Sequence, residues 1–223
     1  MIKAEQKPVD EILGFLEPYK RILLVGCNAC VAVCHAGGEK EVGILASALR
    51  MARKRSGQKL EIVEDCLTRQ CEPEFVAELK QTLENVEAVL STACGVGVQT
   101  ISRIFSDIPV YPGVNTSFIG ETVELGVWAE RCQACGNCVL QLTGGICPVA
   151  RCAKQLLNGP CGGAQEGKCE INGDVPCVWQ LIYDRLKAIG QVSRMEQFIP
   201  AKKWGRESRD CGPRTIARED LKR

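Results

Sequence analysis

The feature that most constrains this chain is its cysteine content, 15 Cys among 223 residues beside a single His. A disulfide framework is one explanation, but disulfide-dense scaffolds are usually short and exported. The N-terminus shows no cationic stretch followed by an apolar core, so we expect a cytoplasmic protein. In that compartment clustered thiols are more often metal ligands or catalytic groups than disulfides.

Charge and hydropathy argue against two classes of partner. Lys and Arg total 28 against 27 Asp and Glu, which gives a formal net charge of +1 and no overall field to attract nucleic acid. The longest apolar runs, at residues 21–26 and 86–90, fall far short of the roughly 18 residues that a spanning helix needs. We therefore expect no nucleic-acid partner and no membrane insertion.

Residues 21–115 predict the α/β fold class, with a small parallel-sheet, Rossmann-like unit. Short apolar runs typical of buried parallel strands occur at residues 22–26, 60–64, 88–92 and 109–111. Between them, apolar residues at helical spacing predict helices, the first ending at Gly57 and the second beginning at Pro73. Alternating strands and helices of this kind form a sheet covered by helices.

The pattern changes near residue 126. Residues 128–177 are rich in Gly, Cys and Pro with little periodicity, so we expect metal ligation to order a ferredoxin-like segment. Residues 176–189 predict a helix whose apolar stripe we expect to pack on the α/β unit or on a partner. The predicted organisation is an α/β domain at 1–125, a cysteine-rich iron–sulfur or zinc domain at 126–199 and an extended basic tail at 200–223.

The first cysteine group follows the predicted strands. Because the carboxyl ends of parallel strands meet at one edge of a sheet, thiols that follow three strands should converge there. Cys66 directly ends its strand and is the first exclusion, and Cys27 is the second uncertain member. His35 is an alternative ligand, and Gly37–Gly38 could offer backbone N–H groups to a cluster or anion. The sequence predicts a four-thiolate site drawn from Cys27, Cys30, Cys34, Cys71 and Cys94.

Two further groups lie in the cysteine-rich segment. Cys132, Cys135 and Cys138 form a Cys-x2-Cys-x2-Cys triple, which favours an iron–sulfur cluster over zinc. The Cys147-Pro148 pair comes later than in bacterial ferredoxins, so Cys147 belongs either to this site or to a neighbouring one. The third group has even spacing that suits either a cluster or a closed tetrahedral zinc, and consists of Cys152, Cys161, Cys169 and Cys177.

Signatures of catalysis are scarce. The sequence lacks a nucleophile elbow, a Walker A loop and a dinucleotide fingerprint after the first strand. A nucleophilic Cys–His pair would have to use His35, the only His in the chain. One interpretation is nevertheless a thiol-dependent or methyl-transferring enzyme that uses the sheet-edge site. Cys211 stands alone in the tail, and we expect it to be a free thiol.

Over roughly residues 10–200 the chain resembles the methylenetetrahydrofolate reductase C-terminal domain family. The resemblance rests on Val25-Gly26-Cys27-Asn28-Ala29-Cys30, on residues 34–40, on Ala93-Cys94-Gly95, on residues 132–152, and on Gly159-Pro160-Cys161-Gly162-Gly163 through Tyr183. It implies a non-catalytic subunit that carries two or three [4Fe-4S] clusters, with one zinc in place of a cluster as an alternative. The cysteines of all three groups carry the family's pattern.

The resemblance also implies partners and a reaction. The partner would be a flavin-containing catalytic subunit of the MetF type, which carries FMN or FAD and reduces methylenetetrahydrofolate in the reductive acetyl-CoA pathway. This chain would relay electrons to that flavin from a further donor module. The alternative is a scaffold subunit of the same complex, in which zinc holds the cysteines together and no electrons pass.

Overall fold

The described part of the chain contains one parallel and one antiparallel sheet, followed by a region with little regular structure. A computed structural model describes residues 1–204, 213–217 and 220. They divide into an N-terminal unit, Met1–Trp128, and a C-terminal unit, Ala129–Arg223. In chain order the elements are β1 (Ile2–Gln6), α1 (Val9–Leu16), β2 (Arg21–Cys27), α2 (Cys30–Val33), α3 (Glu39–Arg55), β3 (Glu61–Leu67), α4 (Pro73–Ala77), α5 (Lys80–Leu83), β4 (Ala88–Ser91), α6 (Gly95–Ile104), β5 (Val110–Pro112), β6 (Val114–Glu124), β7 (Val127–Cys132), α7 (Pro148–Arg151) and α8 (Val178–Ala188).

The parallel sheet has the strand order β3-β2-β4-β5. The central strand β2 is buried on both faces, as its uninterrupted apolar sequence predicts. Val25 lies opposite Asp65 of β3 and Ser91 of β4, so the carboxyl ends of the three strands lie close together along one edge. The expected α/β class with a parallel sheet is confirmed.

Alternate residues of β2 point to opposite apolar layers. Ile22 and Leu24 pack with α1 and α3, where Leu45 and Leu49 are fully buried or nearly so. Leu23 and Val25 pack with the helices on the other side, around Ile101 of α6. Helices therefore cover both faces of the sheet, and its carboxyl edge is left to the loops that carry cysteines.

The antiparallel sheet was not predicted from the sequence. Its strand order is β1-β6-β7, and β1 pairs with β6 from Ile2 opposite Ile119 to Gln6 opposite Val114. The first strand predicted from the sequence begins near residue 21, so β1 and α1 were not predicted. Both elements are short. The strand β1 also pairs with a strand more than 100 residues away, so no local sequence pattern predicts it.

Two predicted elements differ in detail. The helix predicted after Pro73 is divided into α4 and α5, because Glu78 and Leu79 bond to carbonyls only three residues earlier and tighten the turn. Cys66 lies inside β3, which runs to Leu67, and does not follow the strand. Its side chain lies over Gly26, where a Cβ atom would stand 2.7 Å from the Cys66 Sγ.

The C-terminal unit has a small core around α8. Its fully buried side chains Ile182 and Leu186 pack with Ile146 and Met195 of the same unit. The buried residues of the predicted α8 stripe therefore pack against residues of their own unit, whereas packing of the stripe on the α/β unit or on a partner stays a prediction. Within the described residues both sheets are built from β1–β7, so a ferredoxin-like fold is not shown for this segment.

The start of the expected tail packs on its own unit. Lys202 is buried, and its Nζ donates to the Asn137 carbonyl. Cys211, which we expected to be a free thiol, lies outside the described residues. In the part of the chain that the structure describes, no helix combines the length and apolar character needed to cross a membrane.

Candidate metal centres

The sheet edge brings together cysteines from separate loops. Cys27 is the last residue of β2 and is 7% exposed, and Cys94 is the N-cap of α6, directly after β4. Both belong to one apolar cluster, in which Ala93 and Ala36 are also buried. Cys71 is exposed on the loop between β3 and α4. Three sequence-distant thiols thus lie at or after the carboxyl ends of three neighbouring strands, and their joint use as ligands stays a prediction.

Gln70 fixes the loop that carries Cys71. It is fully buried, and its Nε2 donates to the carbonyls of Val25 and Gly26 at 3.1 and 2.7 Å. The hydroxyl of Ser91 donates to the Gln70 Oε1 at 2.6 Å. One side chain therefore ties the loop after β3 to the ends of β2 and β4. Sequence reasoning missed Gln70, because a lone Gln gives no signal of its own.

The surroundings of Cys27 act on its sulfur in two directions. Burial raises the pKa of the Cys27 thiol, while backbone N–H groups of Gln70 and Ala29 lower it. The nearby thiols of Cys94 and Cys71 raise this pKa further. The three sulfurs are therefore close enough to influence one another electrostatically.

Cys34 and Cys66 have other partners. The Cys34 sulfur accepts the Ala4 N–H at 3.4 Å and packs beside β1, although the sequence placed this residue among the site candidates. The Cys66 thiol donates to Asn28 Oδ1 at 3.2 Å. Burial, together with the neighbouring Cys27 and carboxylates, raises the pKa of Cys66 to about 11. A protonated thiol at this position agrees with its exclusion from the ligand set.

The expected anion cradle at Gly37–Gly38 is not present. The N–H of Gly37 bonds to the Val31 carbonyl, and the N–H of Gly38 donates to Glu41 Oε2 at 3.1 Å. These donors are used within the fold and are not available to a cluster. The side chain of His35 is exposed, its Nδ1 lies 3.8 Å from Glu41 Oε1, and within the described residues it belongs to no group of metal ligands.

The Cys132 triple lies on a tightly curved loop. The Ala134 N–H donates to the Cys132 sulfur at 3.3 Å, and Ala134 and Gly136 both have positive φ angles, of 51° and 92°. Such turns direct backbone amides toward sulfur. Cys135 is half-buried, whereas Cys132 and Cys138 are exposed. The loop therefore curves back on itself, and two of its three thiols are exposed to solvent.

Cys147 occupies a separate position. It is the N-cap of α7, and its sulfur accepts the Ala150 N–H at 3.4 Å. Among the described residues no hydrogen bond joins Cys147 to the triple. Whether Cys147 completes that site or a neighbouring one stays open, as it was in the sequence.

The third group is gathered around one cavity. The cavity measures about 20 Å³, and its walls include Trp179 and the ion pair between Lys154 and Glu170. Since a single water needs roughly 10–15 Å³, this is room for about one atom-sized guest. The thiols that line it are Cys152, Cys161, Cys169 and Cys177.

Two of these thiols are already hydrogen-bonded. Backbone N–H groups of Asn172 and Ile171 lower the pKa of Cys169, and Lys154 adds to this effect. The Cys161 thiol donates to a Glu170 oxygen at 3.5 Å. Sequence reasoning did not single out Lys154 and Glu170, because two charged residues this far apart in a sequence usually face solvent.

The donor set fits a thiophilic metal by its chemistry. Four thiols around one small cavity are the ligands of a closed zinc site, and amides directed at sulfur stabilise thiolates. The side chains do not form a finished coordination shell, since no three His, Cys, Asp or Glu residues within 1–204, 213–217 and 220 are grouped closely enough to hold an ion. Metal binding by the 13 candidate cysteines therefore stays a prediction.

Fold and site together define a cysteine-rich protein that joins a parallel α/β unit to a thiol-lined C-terminal unit. Residues 111–205 match the family model described as "Methylene-tetrahydrofolate reductase C terminal", which is less than half of the chain. This match associates the C-terminal unit with methylenetetrahydrofolate reductases and leaves the sheet-edge cysteines outside it. No curated protein matches the chain.

Proposed function

We propose that this chain is the iron–sulfur electron-transfer subunit of a methylenetetrahydrofolate reductase, in the role of the small MetV-type subunit. It would relay electrons between a donor module and the flavin, FMN or FAD, of a MetF-type catalytic subunit. The observation that carries the proposal is the wrapped Cys132–Cys138 loop with its amide directed at sulfur, within the segment that matches the reductase family.

The Cys132 loop is suited to a cluster. Cys132, Cys135 and Cys138 would hold a [4Fe-4S] group, with Cys147 or a neighbouring thiol as the fourth ligand. When bound, such a cluster supplies reversible one-electron transfer. The chain itself positions the loop, since Arg214 donates to the Ala134 carbonyl at 2.9 Å and Lys202 donates to the Asn137 carbonyl.

The third group is better suited to zinc. Its cavity of about 20 Å³ matches one ion, whereas a cubane of four irons and four sulfides is several times larger. We therefore assign to the C-terminal unit one cluster at the triple and one structural zinc at Cys152, Cys161, Cys169 and Cys177. The alternative is zinc at every site with no redox role, and the small cavity at the third group is the observation that favours it.

The first prediction concerns Cys135→Ser. Protein purified without oxygen should contain iron and acid-labile sulfide, and the variant should lose about four irons per chain because one cubane loses a ligand. With a flavin-carrying partner, electron delivery through this chain should slow. Reduction of the partner by an artificial donor should stay nearly unchanged. Iron and sulfide analysis with both reductase assays measures this.

The matched control is Cys66→Ser, since the Cys66 thiol donates to Asn28 and lies outside the family match. It should retain iron and both activities. Equal loss of both activities in Cys135→Ser would contradict the relay and support a scaffold. A colourless wild type with zinc and no sulfide would contradict the cluster as well.

A further inference from the structure

The amino edge of the parallel sheet, at the end away from the cysteine loops, borders a cavity in the N-terminal unit. Arg21 begins β2, Glu61 begins β3, and both residues line the cavity. The volume is about 480 Å³, within the range of roughly 300–1,000 Å³ that is typical of small-molecule sites. No cysteine lines it, and its lining residues lie outside the family match.

The most unusual side chain in the wall of this cavity is Arg53, in the last turn of α3. It is 6% exposed. Its Nη1 donates to Gln58 Oε1, and its Nη2 donates to the Leu16 carbonyl at 2.5 Å. Neither acceptor is a carboxylate, so this buried cation has no counter-charge among the described residues.

The donors of Arg53 are only partly used. A guanidinium has five N–H donors, and these two hydrogen bonds occupy two of them. The Nε atom is buried and has no hydrogen-bond partner in the described structure. A charged donor that is removed from water without an acceptor destabilises the folded state. The bonds to Leu16 and Gln58 explain how Arg53 ties α1 to the end of α3, but a neutral donor could do the same.

The other charges around the cavity do not neutralise this cation. Four cations line it, against two carboxylates, Glu17 and Glu61. Lys59 and Arg21 share Glu61, with N–O distances of 2.8 and 3.9 Å. Lys20 is exposed and forms no ion pair with a described residue. The cavity therefore has a positive excess, which favours an anionic ligand.

The cavity also has an apolar wall. Pro18 and Tyr19 line it, and the Tyr19 hydroxyl is held by the Tyr111 hydroxyl at 2.8 Å. The volume exceeds that of an inorganic ion several times. A ligand that fills this space would therefore combine an anionic group with an organic part.

We propose that this cavity binds a small organic molecule through its oxyanion group, a phosphate or a carboxylate, with Arg53 as the principal donor and Lys20 as a second cation. A guanidinium can bind either group through two parallel hydrogen bonds. The organic part of the ligand would contact Pro18 and Tyr19. The site goes beyond the proposed function and is independent of it, because no cysteine or cluster takes part.

The test is NMR of the full chain with isotope-labelled arginine, titrated at constant ionic strength with phenyl phosphate, benzoate or benzyl alcohol. The three probes share a phenyl ring and differ in the polar group. The Arg53 Nε–H signal, assigned by its loss in Arg53→Lys, should shift saturably with one or both anions and not with the alcohol. The anion that saturates identifies the group. Arg50 of the same helix, which pairs with Glu64 at 2.7 Å, should not shift. No saturation with either anion, or equal shifts with the alcohol or at Arg50, would overturn the site.

Affinities from calorimetry with the better anion give a second test. Arg53→Lys keeps the charge but loses the forked donors, so binding should weaken by about tenfold or more. Arg50→Lys is the matched control and should bind like the wild type. Equal affinity in Arg53→Lys and the wild type would overturn the site.

A surface variant keeps the proposal testable if Arg53→Lys does not fold. Lys20→Gln removes an exposed cation of the cavity and should weaken binding by about two- to fivefold. Lys54→Gln makes the same charge change outside the cavity and should have no effect. Equal affinities in these two variants would overturn the role of the cavity.

Discussion

Cys66 and Cys169 are the same residue type in opposite surroundings. Cys66 lies inside β3, where burial and nearby negative groups raise its pKa to about 11. Cys169 lies on an irregular segment, where the N–H groups of Asn172 and Ile171 favour its thiolate and lower its pKa. Thiolates, not thiols, bind metal and react with alkylating agents, so the two side chains should differ in both respects.

We predict that chelated protein reacts with iodoacetamide at these two residues in a fixed order. Cys169 should react at a pH below the ordinary thiol value of 9.0, whereas Cys66 should reach half its maximal rate only at a pH of about 11. Because the folded state holds the Cys66 proton more tightly than the unfolded chain, its contribution to stability is lost as the pH rises from 9.0 towards 11. Mass spectrometry of peptides labelled across this pH range measures the order.

The same labelling in urea is the control, since unfolding should bring both residues to ordinary thiol behaviour. Equal rates in the folded protein would contradict the assigned surroundings. From the sequence, the cysteines could be sorted only by their spacing and by their position relative to the predicted strands. Hydrogen-bond partners such as Asn28 for Cys66 and Ala4 for Cys34 depend on residues brought together by the fold, so spacing could not reveal them.

At the scale of elements, the parallel strands were predictable and the antiparallel sheet was not. β2 and β4 are buried on both faces and therefore show continuous apolar runs. β6 is largely exposed, with Val123 at 56%, and has no such run. The edge thiols could be grouped from the sequence because strand ends define an edge. Gln70, which fixes their loop, could not be found by that reasoning.

The helix α8 contributes both to the apolar core of the C-terminal unit and to the cavity lined by the third cysteine group. Ile182 is fully buried in its small core, and Val178 and Trp179 of the same helix line the cavity of thiols. We predict that Ile182→Ala lowers the free energy of unfolding of the C-terminal unit by about 2–5 kcal/mol, through lost burial and a cavity. Hydrogen exchange of the α8 amides at increasing urea concentrations measures the change.

The adjacent residue offers the control for this helix. Tyr183 is 39% exposed, whereas Ile182 is fully buried, so Tyr183→Ala should lower the free energy of unfolding by clearly less than Ile182→Ala. Equal destabilisation by the two substitutions would show that general helix loss, and not the buried stripe, sets the stability of this unit.

At the scale of the molecule, the two units gain their stability differently. The N-terminal unit has three apolar clusters around its sheets, whereas the C-terminal unit has one, with four buried members among the described residues. Val139, Val149 and Ile199 are also buried in this unit, but seven apolar side chains offset little of the entropy lost on ordering a segment of this length. The C-terminal unit also contains nine of the 15 cysteines, eight of them within residues 132–177, so metal ligation is the compensating interaction that its sequence offers.

Metal removal should therefore destabilise the C-terminal unit more than the N-terminal unit. A ligand at 1,000 times its dissociation constant stabilises the folded state by about 4 kcal/mol, which corresponds to roughly a thousandfold slower amide exchange. Chelation under anaerobic conditions should speed exchange in α8 by about this factor and leave β2 close to its original rate. Zinc added back should restore protection of α8 in the wild type but not in a chain with Cys152→Ser and Cys161→Ser. If the α8 amides exchanged at the same rate with and without metal, the apolar core alone would be enough to keep the unit folded. The thiols around the cavity would then not stabilise this unit.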